Sequence, residues 1–287
     1  MDTPREIYEV KDHKLAVLID ADNISYQYVK PMMDEIARYG VPTIKRIYGD
    51  WTKQNMNGWK TVLLDYAIQP IQQFGYTYGK NSTDTALIID AMDILYTYSV
   101  DGFCLVSSDS DFTRLAMRLR EAGKQVIGIG EQKTPNAFIA ACNRFLFLEI
   151  LNYDEDDPAY GTAVRGIRSS DTPAIDTPPT ENLVLNAIAR QQKAASRPAA
   201  PAIRHLDDDI VKLIHSFTST LADDSGWAFL GDLGNMLLKT APSFDPRNYG
   251  YSKLSNLIRD VKGIEVDERP TANQNVKHIY IRLLPQR

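Results

Sequence analysis

A chain of 287 residues, 44% hydrophobic and 24% charged, has the composition of ordinary globular material with room for about two domains. MDTPREIYEVKDHK at its start lacks an apolar leader, and no run of about 18 uncharged apolar residues follows, which speaks against export and membrane spanning and makes the cytoplasm the expected compartment. Its two cysteines, Cys104 in an apolar run and Cys142 on a helix-like stretch, exclude a disulfide framework and a CxxC zinc site and read as core thiols. A net charge of −5 decides nothing about nucleic acid, because a sum hides local patches.

From the amino terminus, short apolar runs alternate with longer segments of helical period. Strands are expected near 13–20, 43–49, 74–78, 102–107, 125–130 and 145–149, and helices near 26–39, 57–70, 84–98, 111–122 and 135–142. This alternation predicts an α/β domain over residues 1–152, with a central parallel sheet flanked by helices. In the 84–98 helix, Leu87, Ile88, Ala91, Ile94 and Leu95 recur at spacings of three and four and define a buried face, with Asp90 and Asp93 expected in solvent. Gly123 after Arg118 and Arg120 stops one helix, and Thr134-Pro135 opens the next.

The texture changes at 153–204 to Pro, Ala, Ser and Thr, which reads as a flexible linker with a short helix near 181–192. Globular patterning resumes over 205–287. DDDIVKLIHSFTSTL has an acidic first turn and a face of Ile210, Leu213, Ile214 and Phe217. Helices near 229–240 and 251–261 and an alternating terminal hairpin complete a small α+β, winged-helix pattern.

Asp20, Asp84, Asp109 and Asp111 are each expected where a strand-like run gives out. In an open parallel sheet such positions converge outside the carboxyl ends of the strands. Converging carboxylates raise one another's pKa unless a cation lies between them, and oxygen donors suit Mg²⁺ or Mn²⁺ better than zinc. Taken singly, a helix cap or a solvated side chain accounts equally well for Asp84 or Asp111. Asp20 is different, since it follows a run apolar enough to be buried on both faces, where an unpaired carboxylate is costly.

The strings AVLIDADN (16–23), KNSTD (80–84) and VSSDSDF (106–112) resemble the NYN domain, a branch of the PIN-like nuclease superfamily. Asp20 and Asn23 match its D-x-x-N motif, Lys80 and Asp84 its K-x-x-x-D motif, and Ser107 or Ser108 with Asp109, Asp111 and Phe112 its S-x-D-x-D-F motif. The resemblance implies a Mg²⁺- or Mn²⁺-dependent ribonuclease whose four aspartates hold metal and perform catalysis. Asn143 stands where many relatives carry an Asp, a departure expected to reduce turnover if that position assists a metal. GWAFLGDLGNML (226–237), PSFDPRNYGYSKLSNLI (242–258) and the closing hairpin resemble the OST-HTH or LOTUS domain, which implies RNA as a partner, with a homo-oligomer or protein partner also open to the C-terminal domain.

On this reading Asn23 and Ser108 orient water or phosphate, and Lys80 neutralises a phosphate oxygen. Their plain alternatives are a helix cap, a turn serine and a surface lysine. Lys253, Arg247, Arg259 and Tyr251 are the exposed candidates for contact with an RNA backbone. Tyr26, Tyr28, Trp51 and Trp59 either stack on bases or pack into the fold. Two rivals stand beside the nuclease. D-A-D-N-I at 20–24 is similar to the opening motif of haloacid-dehalogenase phosphatases, with Asp20 as nucleophile and Asp22 as acid/base, although Ile24 replaces the expected Thr or Val. The other is an RNA-binding or adaptor protein that does not cut.

Overall fold

The structure, a computed structural model, describes residues 13–74, 82–151, 206–270 and 277–284. It divides into two compact units, Met1–Leu148 and Glu149–Arg287. Lys80, most of the strand expected at 74–78, the linker and the helix near 181–192 lie outside the described residues.

The first unit is a six-stranded parallel sheet with helices between its strands. In chain order the elements are β1 (Lys14–Asp20), α1 (Val29–Ile36), β2 (Val41–Gly49), α2 (Asn57–Lys60), β3 (Gln69–Gln72), α3 (Ser82–Thr97), β4 (Gly102–Val106), α4 (Thr113–Glu121), β5 (Gln125–Gly130), α5 (Asn136–Ala141) and β6 (Arg144–Phe147). The sheet order is β3-β2-β1-β4-β5-β6. Strand order therefore reverses between β1 and β4, and such a switch point opens a crevice at the carboxyl ends. Both central strands are buried throughout except at Lys14, as strands covered on both faces must be.

Ala16 and Leu18 of β1 join Leu87, Ala91 and Ile94 of α3, Leu115 and Leu119 of α4 and Phe138 of α5 in one core. The buried apolar residues of α1, Val29, Met32, Met33 and Ile36, lie outside that core. A chain of rings runs beneath the crevice, with Phe112 to Phe138 at 6.5 Å, Phe138 to Phe145 at 5.8 Å and Phe145 to Phe147 at 5.4 Å between centroids. Cys104 and Cys142 are buried thiols, as expected.

Two expectations need correction. The helix expected over 57–70 ends at Lys60 and continues as turns, followed by a strand, Gln69–Gln72, that the sequence reading did not give. Ala67 closes that stretch with φ 48°, a left-handed conformation that cannot continue a helix. QPIQ makes a short polar strand at the sheet margin, where Pro70 is tolerated because, among the described residues, no outer neighbour needs its N–H. Asp90 is not solvated either. It is half-buried and accepts hydrogen bonds from Arg46 and from the Tyr48 hydroxyl, tying α3 to β2, and burial pushes the Tyr48 phenol up.

In the second unit, α6 (Asp208–Leu221), β7 (Ala228–Phe229), α7 (Leu230–Thr240), α8 (Leu254–Asp260), β8 (Ile264–Pro270) and β9 (Lys277–Leu283) follow in order. The sheet is antiparallel, ordered β7-β9-β8. Ile214, Leu233, Leu237, Leu257, Ile258 and Ile281 form its fully buried centre. Strand β7, two residues long, escapes the periodicity of the sequence. It pairs Ala228 with Ile281 and Phe229 with Tyr280. Gly250 closes the turn before α8 at φ 81°, a conformation that L side chains avoid.

Candidate metal centre

Each acidic side chain reaches the crevice by a different local device. Asp20 is the last residue of β1 and is wholly buried. Its Oδ2 accepts from Asn23 Nδ2 at 2.6 Å and from Ser107 Oγ at 2.9 Å, and its Oδ1 accepts from the Asp22 N–H at 3.1 Å. Burial raises its pKa, while these three donors favour the ionised form. Ser107 also accepts the Asp109 N–H at 3.1 Å, so one hydroxyl couples the end of β1 to the end of β4.

Beyond β4 the chain turns through a short 3-10 segment, Ser110–Phe112, capped by Asp109 Oδ1 on the Asp111 N–H at 2.9 Å. Phe112 drives into the core at 1% exposure. This anchor fixes the turn, leaving Asp109 half-buried and Asp111 exposed. Asp84 arrives from elsewhere, on the first turn of α3 and not at a strand end as expected. One carboxylate oxygen each of Asp84, Asp109 and Asp111 lies within 4.8 Å of the others. Across an octahedral ion with oxygens at about 2.1 Å, ligand atoms stand about 3 to 4 Å apart, so oxygens within 4.8 Å of one another would have to draw slightly closer to share a single hard cation. Burial, followed by the charges of Asp20, Asp109, Asp111 and Asp22, pushes the Asp84 carboxyl up to about 6. Such mutual repulsion is what a divalent ion relieves.

Asp20 stands outside that three-residue set and behaves as its buried anchor. Asn23 binds Asp20 and caps no helix. Ser108 accepts the Glu131 N–H at 2.9 Å, linking the loops after β4 and β5. Asn143 is not in the crevice at all. Its Oδ1 accepts the Val126 N–H at 2.9 Å, at the amino end of β5 and on the rim of a shallow cavity of about 630 Å³ with Arg120 and Lys124. That edge is a strand length, about 15 Å at about 3.3 Å per residue, from the carboxylates. The departure at Asn143 therefore does not touch the candidate centre.

Among the aromatic candidates, Trp59 is buried with its indole N–H on the Ile24 carbonyl at 3.2 Å. Trp51 donates to the Ile71 carbonyl at 2.9 Å, and Tyr26 packs over Gly58, whose added Cβ would lie 2.3 Å from its ring. Tyr28 is half-buried. In the second unit, Arg247 chelates the buried Asp245 at 2.9 Å and 3.0 Å, Arg259 pairs with Glu268, and the Tyr251 hydroxyl donates to Asp260 at 2.9 Å. Lys253 is exposed at the start of α8.

Three residues of the crevice escape the sequence reading of the nuclease. Asp22 accepts the Thr83 hydroxyl at 3.1 Å and lies 4.0 Å from the Lys53 ammonium. Asp50 directly follows β2, where Asp20 is the last residue of β1, and the string YGD carries the same signal of a strand giving way to a carboxylate.

Residues 14–149 match the family model of the NYN domain, and residues 201–276 that of the OST-HTH/LOTUS domain. An uncharacterized protein of Methanocaldococcus jannaschii is 26% identical over 125 residues, which cover 42% of this chain and 49% of that protein. The chain thus spans about half the length of the curated relative it matches. A crystal structure of a protein of unknown function from Vibrio parahaemolyticus is 20% identical, with a TM-score of 0.39, covering 47% of this chain and 91% of that one. A solution structure of an uncharacterized Nitrosomonas europaea protein is 27% identical with a TM-score of 0.27, covering 41% and 95%.

Proposed function

We propose that this chain, which joins an NYN domain to an OST-HTH/LOTUS domain, is a divalent-metal-dependent ribonuclease with an RNA-binding module at its carboxyl end. The observation that carries the reading is the convergence of Asp84, Asp109 and Asp111 within 4.8 Å beside the buried Asp20. Asp84, Asp109 and Asp111 would hold Mg²⁺ or Mn²⁺. When bound, the ion supplies Lewis acidity and an activated water for phosphodiester hydrolysis. Asp20 stabilises the centre from below, its charge held by Asn23, Ser107 and the Asp22 N–H. The side chains around the three aspartates are acidic, so a scissile phosphate is held beside them only where a cation balances the carboxylates, which makes cleavage depend on the ion.

The same geometry disfavours a phosphatase that uses Asp20 as its nucleophile. Both Asp20 oxygens are engaged and the side chain is wholly buried, whereas a covalent nucleophile must reach phosphorus. The test is incubation of the full chain with mixed labelled single-stranded RNAs in Mn²⁺ and in chelator. Cleavage is expected in Mn²⁺, is abolished by chelator, and falls by at least about 100-fold, the scale of a lost catalytic electrostatic contact, in Asp109→Asn and Asp20→Asn of unchanged circular dichroism. Cleavage that survives chelator, or both substitutions, refutes the proposal.

A further inference from the structure

The loop after β2 presents a cation to the crevice by a built arrangement. Asp50 Oδ1 accepts the Thr52 hydroxyl at 2.6 Å, the Gln72 amide at 3.0 Å and the Thr52 N–H at 3.2 Å, and the Lys53 N–H returns to the Asp50 carbonyl at 3.0 Å. These bonds close a tight turn on the buried carboxylate. Gly49 lets that turn lie against the β1 loop, since a Cβ there would meet the Ala21 Cβ at 3.2 Å. The result is a Lys53 side chain, half-exposed, next to Asp22 at the mouth of the site.

Lys53 is loosely held there. Its ammonium stands 4.0 Å from Asp22, too far for a hydrogen bond, while Lys133 and Lys30 close on Glu131 and Asp34 at 2.6 Å and 2.7 Å. Asp22 is itself occupied by the Thr83 hydroxyl. An exposed pair at this distance contributes little to folding. A flexible ammonium beside a cluster of carboxylates is suited to a phosphate oxygen, which a compact point charge binds without a fixed angle.

We propose that Lys53 is a substrate-binding residue, its ammonium taking a backbone phosphate of single-stranded RNA on the Asp22 side of the crevice. The proposal rests on the ribonuclease reading above and is tested separately from it. Binding of a labelled single-stranded RNA to the full chain is measured in chelator against salt, for wild type, Lys53→Gln and Lys53→Arg. One lost phosphate contact lowers the slope of log affinity against log salt by about 0.7. Lys53→Gln is expected to show that drop and, in Mn²⁺, a KM raised about 5- to 10-fold with kcat unchanged, the pattern of lost uniform binding. Lys53→Arg is expected to restore both. A Lys53→Gln protein with wild-type slope and KM overturns the assignment. Wild-type protein that binds RNA without cutting it overturns the nuclease reading and leaves the slopes to judge Lys53; wild-type protein that binds no RNA overturns both.

Discussion

Asp84 carries a testable consequence for acidity. Its carboxyl, normally near 3.8, stands at about 6 in the folded chain, so folding takes up a proton. The group therefore favours the folded state below about pH 4, and this advantage is lost as pH rises through about 6. In chelator, thermal midpoints should fall across that window, and Asp84→Asn should flatten the fall. Because ligands must be ionised, Mn²⁺ affinity by titration calorimetry should weaken below about pH 6. Ser107 makes a second case. Its hydroxyl donates to Asp20 and accepts from the Asp109 N–H, so Ser107→Ala strips one bond from a buried carboxylate and orphans a backbone donor. A loss of about 1 to 3 kcal/mol is expected by urea unfolding; an unchanged midpoint would show that water replaces the hydroxyl. Asp20, Asp109 and Asp111 were legible because each follows an apolar run. Asp22, Asp50 and Lys53 were less so, since their roles come from the meeting of two loops distant in sequence.

At the level of elements, the ends of β4 and β5 meet closely. A Cβ on Gly130 would lie 2.6 Å from the Ser107 carbonyl oxygen and 2.8 Å from the Thr134 hydroxyl. Gly130→Ala must displace backbone at the point where Asp109 is launched. Activity is expected to drop more than stability, because misplacement of a catalytic group by about 1 Å costs on the order of 100-fold; equal rates in single-turnover assays would count against this. Five strands, β1, β2, β4, β5 and β6, and the helix at Ser82–Thr97 could be read from period and caps, because their apolar faces recur without interruption. The stretch from Asn57 to Gln72 could not. There Trp59 buries from the single turn of α2, Leu63 from the turns after it and Ile68 from the residue ahead of β3, which imitates a helical period, and QPIQ lacks the apolar pattern of an inner strand. Asp90 was misread for a related reason. It lies off the apolar stripe of α3, and Arg46 and Tyr48, which claim it, belong to another strand.

At the scale of the chain, the hydrophobic clusters described for the two units have no residue in common. Scanning calorimetry should therefore resolve two transitions. Mn²⁺ should raise one of them alone, by about 2.7 kcal/mol at 100 times its dissociation constant, and Asp109→Asn should cancel that rise. A single transition indifferent to metal would contradict the arrangement. The position of β1 has one more effect. It is flanked by β2, which follows it closely, and by β4, so that Leu15 pairs both with Pro42 and with Gly102. During synthesis the first strand waits half-paired until the fourth has emerged, and closing so long a loop is slow. The candidate metal centre draws on both sides of that pairing, so its carboxylates come together only after β4 has been made, and a chain that stops ahead of Gly102 leaves Asp20 without the Ser107 hydroxyl that holds it.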